Sequence, residues 1–206
     1  RTGLGTSSSF AVGLLNAFHS LKGKVKDKKV LADEAIYVER VMCNEAGGLQ
    51  DQIAASYGGF NRIDFDKNGY CVKPIDISKE RKEELNDQLM LFFTGFSRFS
   101  ADIQSDTKKN IKDNTERLLK MKSMVDDAEK ILSDKNEDLD DFGRLLDESW
   151  KLKRSTGSKI STNQIDQIYD RAVNAGALGG KLLGAGGGGF MLFYVPKEKQ
   201  ETVKKE

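Results

Sequence analysis

The glycine and hydroxyl run from Gly3 to Ser9, Gly-Leu-Gly-Thr-Ser-Ser-Ser, restricts the fold of this chain more than any other segment. It leads directly into a helical pattern, in which Phe10, Leu14, Phe18 and Leu21 recur at spacings of three and four. Glycines let the backbone approach a ligand closely, and the first N–H groups of a helix lack partners and favour an anion. The run therefore predicts a phosphate-binding loop. The alternative is an ordinary helix start that is capped by a hydroxyl.

A second glycine-rich segment lies near the other end of the chain, from Gly180 to Gly189. Its last six residues satisfy the dinucleotide-binding pattern G-x-G-x-x-G, but a strand pattern follows where that motif requires a helix. The stretch that ends in Gly180-Lys181 also fails the P-loop pattern, because Ala175 and Leu182 stand where glycine and Ser or Thr are needed. Neither of these two nucleotide motifs is therefore predicted.

Composition narrows the class of protein. Of the 206 residues, 38% are hydrophobic and 32% are charged, which is typical of a soluble globular chain. The net charge of +1 provides no field for nucleic acid or an anionic membrane, so neither is expected as a partner. Two cysteines and no apolar run of bilayer length favour a cytoplasmic protein without a disulfide framework. Since Arg1 is not an initiator methionine, we expect part of the first domain to precede this sequence.

Helices and strands are both predicted along the chain. Hydrophobic periodicity predicts helices at 10–21, 31–42, 103–132, 139–150 and 165–173, and a short charged helix at the end. Strands are predicted at 61–65, 70–77, 88–94 and 190–195. The first two strands are joined by the turn sequence Asp66-Lys67-Asn68-Gly69. A boundary near residue 84 would divide the chain into domains 1–84 and 85–206.

Together, the two glycine-rich segments resemble the nucleotide-binding motifs of the GHMP kinase family, which includes galactokinase, homoserine kinase, mevalonate kinase and phosphomevalonate kinase. Gly3 to Ser8 is similar to the family's Gly-Leu-Gly-Ser-Ser-Ala, and Gly180 to Gly188 is similar to its C-terminal motif. The resemblance implies an α+β, two-domain GHMP kinase fold. Its N-terminal part, incomplete here, would resemble domain 2 of ribosomal protein S5, and its C-terminal domain would be ferredoxin-like. ATP and magnesium are the implied cofactors, and we expect a monomer or a homodimer.

The resemblance also assigns roles to single residues. Asp51, in Gly-Leu-Gln-Asp-Gln, matches the catalytic aspartate that acts as a base. Glu39 and Ser7 match the residues that hold magnesium. The nucleotide would contact Gly3, Leu4, Gly5, Thr6, Ser7, Ser8, Gly184 and Gly186.

The residues taken alone leave other interpretations open. Glu39 is also compatible with a solvated helix position, paired with Arg40 or Lys28. Asp51 is also compatible with a helix cap. Glu45 competes with Glu39 for the metal, because carboxylate oxygens of either residue suit magnesium.

The substrate is suggested by three stretches, 6–15, 50–60 and 93–103, which resemble bacterial D-glycero-D-manno-heptose phosphate kinases. This resemblance implies that ATP phosphorylates the anomeric hydroxyl of a heptose 7-phosphate, for nucleotide-heptose and surface polysaccharide synthesis. Substrate contacts would come from Asp51, Arg98 and Gly186. Arg98 follows a glycine-containing junction between strand and helix, where a guanidinium group can bind a sugar phosphate.

Two rival functions remain open. One is another sugar kinase of the same family, a galactokinase or a fucokinase-like enzyme. The other belongs to a different class, a non-catalytic protein that binds a nucleotide or a partner. Substrate profiling separates the first from a heptose kinase, and nucleotide binding without turnover would identify the second.

Overall fold

A computed structural model describes residues 3–95 and 114–206 of the chain. They form two compact units, Leu4–Ile75 and Asp76–Glu206, and Gly3 belongs to the second. Helices and strands occur in both units, which confirms the predicted α+β class. The units divide after Ile75, whereas the domain boundary predicted near residue 84 falls inside the helix Lys79–Gln88. That domain boundary stays a prediction.

The first unit contains helices, a π-helical turn and a hairpin. Its elements are α1 (Thr6–Leu21), α2 (Lys28–Tyr37), the π turn (Val38–Met42), α3 (Gln50–Tyr57), β1 (Asn61–Asp66) and β2 (Gly69–Pro74). The helices predicted at 10–21 and 31–42 are confirmed, although the second ends in the π turn. The hairpin is also confirmed, and its antiparallel register pairs Asn61 with Pro74 and Asp66 with Gly69.

Helix α1 packs through a face that its hydrophobic pattern does not predict. Its buried residues are Ser8 and Val12, whereas Phe10, Phe18 and Leu21 are 70%, 52% and 83% exposed. The buried pair lies on the side of the helix away from that apolar stripe, and it faces α2 and α3, the helices that contact α1. The apolar period therefore predicts the helix correctly but the wrong buried face.

The second unit is built on a three-stranded antiparallel sheet with the order β3-β5-β4. Its elements are α4 (Lys79–Gln88), β3 (Leu89–Phe93), α5 (Thr115–Ser133), α6 (Asp140–Arg154), α7 (Asn163–Asn174), β4 (Gly179–Leu182), β5 (Phe190–Tyr194), a 3₁₀ turn (Lys197–Lys199) and α8 (Gln200–Lys205). The strands predicted at 88–94 and 190–195 and the helices predicted at 139–150 and 165–173 are confirmed. The predicted helix 103–132 is described only from Thr115 onward.

The core of the second unit lies where α6 and α7 cover the sheet. Trp150, Ile165, Tyr169 and Phe193 are all nearly or fully buried. The ring of Tyr169 lies 6.3 Å from that of Trp150 and 5.8 Å from that of Phe193, centre to centre. This core supports β4, which contains the start of the second glycine-rich segment, and β5, which follows that segment.

Two elements of this unit were not predicted. Helix α4 has little apolar periodicity, because Leu85 is the only apolar residue in its sequence. It begins at a side-chain cap, in which Ser78 Oγ accepts a hydrogen bond from the Arg81 N–H at 3.2 Å. Strand β4 starts with two glycines, a residue type with a low propensity for strands. A methyl group at Gly179 would lie 2.1 Å from the carbonyl oxygen of Gly143, so close packing against α6 explains this glycine.

Candidate active site

The glycine and hydroxyl run forms a turn that ends in α1. Gly3 and Gly5 have φ values of 81° and 66°, in the left-handed region that favours glycine. Gly5 is the N-cap of α1, and no side chain caps the helix. The alternative interpretation, a helix start capped by a hydroxyl, is therefore wrong, because the chain turns at a glycine before the first hydroxyl. Thr6 and Ser7 are exposed, and the first turn holds no acidic residue. Its N–H groups are thus arranged for an anion.

Asp51 lies beside this turn. It is exposed in the first turn of α3, and because Leu49 is the N-cap of that helix, Asp51 does not cap it. A methyl group at Gly5 would lie 3.6 Å from both Cβ and Cγ of Asp51, which is ordinary van der Waals contact. The first unit thus brings the candidate base next to the candidate phosphate loop.

Glu39 lies in the π turn and is not a solvated helix residue. Its side chain is only 6% exposed. Its Oε2 accepts hydrogen bonds from Ser8 Oγ at 3.1 Å and from Gln52 Nε2, and it lies 3.7 Å from Arg40 Nη2. Its Oε1 is buried and has no hydrogen-bond partner in the part of the chain that the structure describes. Buried carboxylate oxygens without a partner are costly and rare.

This unpartnered oxygen fits the residue's assignment to magnesium, since magnesium prefers carboxylate oxygens and completes its shell with water and phosphate. Within residues 3–95 and 114–206, no group of three or more His, Cys, Asp or Glu side chains could hold a metal. A magnesium ion here would therefore depend on few protein ligands. The hydroxyl that donates to Glu39 is that of Ser8, whereas Ser7 is exposed. The metal roles of Ser7 and Glu39 stay predictions.

Arg40 fixes the loop between the π turn and α3. Its Nε and Nη2 donate to the carbonyl oxygen of Gly48 at 3.1 and 2.7 Å, and its Nη1 donates to that of Glu45 at 3.2 Å. The Glu45 N–H donates to the Glu39 carbonyl oxygen at 2.9 Å. Glu45 is thereby held near the π turn and remains a candidate for the metal, although Glu39 carries the unpartnered oxygen.

Sequence reasoning missed the residues that hold Glu39 in place. Gln52 is fully buried and uses its amide on Glu39, while Ser8 does the same with its hydroxyl. Ser8 was predicted as a contact of the nucleotide and not as a partner of Glu39, and Gln52 only adjoins the predicted base Asp51. The pairing with Glu39 left no signal in the sequence, because it depends on how α1, α3 and the π turn pack.

Gly3 lies against the second glycine-rich segment within the second unit. A methyl group at Gly3 would lie 2.5 Å from the carbonyl oxygen of Leu183, and one at Gly184 would lie 2.7 Å from Gly3 Cα. Side chains are also excluded at Gly186, where a methyl group would lie 2.7 Å from the carbonyl oxygen of Ile160. The assignment of Gly184 and Gly186 to ligand contacts stays a prediction, and Arg98 lies outside the described residues.

We expect Gly184→Ala to lower the free energy of unfolding by about 1–3 kcal/mol, because alanine there must move the backbone of Gly3 and adopt a φ of 76°. Urea denaturation measures the change. Gly13→Ala is the matched control, since a methyl group at that helical position meets nothing within 4 Å, and it should stabilise by up to about 1 kcal/mol. Equal stability of Gly184→Ala and the wild type would contradict the close approach.

Lys153 donates a hydrogen bond from Nζ to the Gly184 carbonyl oxygen at 2.8 Å. Burial, and the neighbouring Lys181 ammonium group after it, lower the pKa of Lys153 from 10.5 to about 8. The unfolded chain then binds more protons than the folded one between these two values, so stability rises with pH there. The wild type should gain stability relative to Lys153→Met as the pH increases from 8 to 10.5. Denaturation of both proteins across this range measures the difference, and a constant difference would contradict the lowered pKa.

Two family models match segments of this chain. Residues 1–59 match the N-terminal domain of GHMP kinases, and residues 125–206 match the GHMP kinase C-terminal domain. Together the two matches take in more than half of the chain, with both glycine-rich segments. The chain belongs to the GHMP kinase family. The family predicted from the two motifs is thereby confirmed.

This chain is 34% identical to the D-glycero-alpha-D-manno-heptose 7-phosphate kinase of Campylobacter jejuni, over 98% of this chain and 60% of that protein. It is 28% identical to the L-fucokinase/L-fucose-1-P guanylyltransferase of Bacteroides fragilis, over 98% of this chain and 22% of that protein. A solved structure of a D-glycero-D-manno-heptose 1-phosphate kinase from Bacteroides thetaiotaomicron matches it with a TM-score of 0.76 and 29% identity, over 99% of this chain and 56% of that chain.

The chain therefore spans at most about 60% of the length of these relatives. Among its described helices, none is both long enough and apolar enough to cross a membrane.

Proposed function

We propose that the protein to which this GHMP kinase chain belongs uses ATP and magnesium to phosphorylate a sugar phosphate. The proposed acceptor is D-glycero-D-manno-heptose 7-phosphate, and the proposed nucleophile is its anomeric hydroxyl. The observation that carries the proposal is the position of Asp51 beside Gly5, where an added methyl group would lie 3.6 Å from Cγ of the carboxylate. Phosphoryl transfer needs a group that orients the hydroxyl next to a site for the phosphates.

The first unit supplies both parts of this chemistry. The uncapped N-terminus of α1 would bind phosphate oxygens through its N–H groups and its positive dipole end. Asp51 would accept the proton of the attacking hydroxyl or orient it, because an exposed carboxylate at the loop is within reach of a substrate bound there. Glu39 would hold magnesium, together with Ser7. When bound, magnesium supplies positive charge that offsets the charge of the phosphates.

The heptose is favoured over other acceptors by the relatives. The Campylobacter jejuni protein, whose name states a heptose 7-phosphate kinase, is more similar to this chain than the fucokinase is. The stretch from Gln50 to Phe60, which contains Asp51, is among those that resemble the heptose kinases. The product would serve nucleotide-heptose and surface polysaccharide synthesis.

The test is ADP production by the full-length protein with magnesium and ATP. The acceptors are heptose 7-phosphate, galactose, fucose, homoserine and mevalonate, and the control omits the acceptor. Turnover with the heptose alone is the expected result. Turnover with a different acceptor would support kinase activity but would overturn the assignment of heptose 7-phosphate as the acceptor.

A fucokinase is the second candidate, because the Bacteroides fragilis relative aligns over 98% of this chain. Turnover with fucose and none with the heptose would identify it. A non-catalytic protein is the alternative of a different class. It would bind ATP in a direct binding assay and form no ADP with any acceptor of the panel.

A further inference from the structure

Two lysines lie next to the second glycine-rich segment, and the proposed chemistry does not use them. Lys153 is near the end of α6 and Lys181 is in β4. Both belong to the second unit, in which α6 packs against β4. Lys181 lies in the first residues of the glycine-rich segment, within β4, and Lys153 reaches the same segment through its hydrogen bond to Gly184.

Hydrogen bonding fixes the position of Lys153. Its Nζ donates to the carbonyl oxygen of Gly184 at 2.8 Å. An ammonium group has three N–H donors, so this bond leaves two for another acceptor. Gly184 itself has a φ of 76°, and a methyl group added to it would lie 2.7 Å from Gly3 Cα.

Neither lysine has an acidic partner in the described ranges 3–95 and 114–206. The cationic neighbours of Lys153 on α6 do have one. Lys151 pairs with Asp147 at 2.7 Å, and Arg154 pairs with Asp166 at 2.7 Å. Within the described residues, the charges of Lys153 and Lys181 are therefore uncompensated, unlike those of Lys151 and Arg154.

Uncompensated like charges that are partly removed from water are unfavourable. Burial lowers the pKa of both lysines, and the charge of Lys181 adds to the effect on Lys153. An anion between the two ammonium groups would offset their mutual repulsion and would replace the hydration that they lose on burial. A phosphate group suits this place, because it accepts several charge-assisted hydrogen bonds at once.

We propose that Lys153 and Lys181 form a subsite for a phosphate group next to Gly184, whose carbonyl oxygen holds Lys153 in place. The phosphate would come either from the phosphorylated acceptor or from the nucleotide. The inference rests on the proposed function for the identity of these two ligands, but the subsite itself follows from the lysine pair.

Calorimetric binding to the full-length protein tests the subsite. The ligands are ADP, heptose 7-phosphate and the heptose without its phosphate, and the variants are Lys153→Met and Lys181→Met. Lys151→Met is the matched control, because it removes a charge that Asp147 already compensates on the same helix. Each subsite variant should weaken binding of one phosphorylated ligand by about 10–100-fold, which is the usual effect of a lost hydrogen bond to a charged group.

The affected ligand identifies the source of the phosphate. Weaker binding of ADP would assign the subsite to the nucleotide. Weaker binding of heptose 7-phosphate, with the unphosphorylated heptose unchanged, would assign it to the acceptor. Unchanged binding of both, or an equal loss in Lys151→Met, would overturn the proposal.

A second measurement uses the wild-type protein, so it does not depend on the folding of a variant. Amine acylation followed by mass spectrometry gives the reactivity of each lysine, with and without inorganic tripolyphosphate or inorganic phosphate. Protection of Lys153 and Lys181, but not of Lys151, is expected with at least one of these anions. Absence of protection with both would overturn the subsite. This result needs no turnover, so failure of the proposed kinase activity would be recognised separately.

Discussion

Asp51→Asn in the full-length protein is expected to retain ATP binding and to lose about 10²–10⁴-fold in turnover, the usual scale for removal of a general base. Asparagine keeps the size of the side chain but cannot accept the proton of the attacking hydroxyl. Because Asp51 is exposed and does not cap α3, the fold should be unaffected. The measurements are the rate of ADP formation at saturating substrates and the affinity for ATP.

Glu83→Gln is a suitable control for this substitution. Glu83 is an exposed carboxylate in α4, and its ion pair with Lys79 is a loose one at 3.8 Å. Its removal should leave turnover unchanged. Near-normal turnover in Asp51→Asn would remove Asp51 from the mechanism, and loss of ATP binding together with turnover would indicate a role in the loop instead.

The candidate loop and base were predictable because their chemistry is local. Gly3 and Gly5 need positive φ in a short stretch of sequence, and a helix pattern follows at once. The position of Asp51 beside Gly5 was not predictable from periodicity, since it depends on the packing of α1 against α3. The family resemblance assigned the role of base to Asp51, and its position beside Gly5 is consistent with that role.

Other features depend on tertiary packing and left little trace in the sequence. The apolar stripe of α1 predicted a buried face, but Ser8 and Val12 form that face instead. Strand β4 was missed because Gly179 and Gly180 are disfavoured in strands. They are required there by the backbone of α6 and by β5, whose Leu192 oxygen would lie 2.5 Å from a methyl group at Gly180.

Glu39 illustrates the same limit. Its sequence context, between Val38 and Arg40 on a predicted helix, is compatible with a solvated carboxylate. The helix changes to a π turn there, a local distortion that is frequent at functional sites. The turn places the carboxylate against Gln52 and Ser8 in the interior. An isolated helical pattern carries no information about such a turn, so the burial of Glu39 had to be observed.

Glu39→Gln is expected to lower turnover without lowering the stability of the fold. The substitution removes a buried charge and keeps an oxygen that can accept from Ser8 and Gln52. The free energy of unfolding should therefore stay within about 1 kcal/mol of the wild type or rise, as is common when a functional charge is removed. Turnover at limiting magnesium should fall by at least about 10–100-fold, because a neutral amide is a poorer ligand for magnesium than a carboxylate.

Magnesium titrations of the rate, with urea denaturation of the same proteins, measure both effects. Addition of a chelator should abolish turnover in the wild type. Glu45→Gln is the decisive comparison, because Glu45 is held near Glu39 by its backbone and is the other candidate ligand. A raised magnesium requirement in Glu39→Gln alone would assign the metal to the buried carboxylate. The same shift in Glu45→Gln alone would move the metal to Glu45, and the unpartnered oxygen of Glu39 would then need a different explanation.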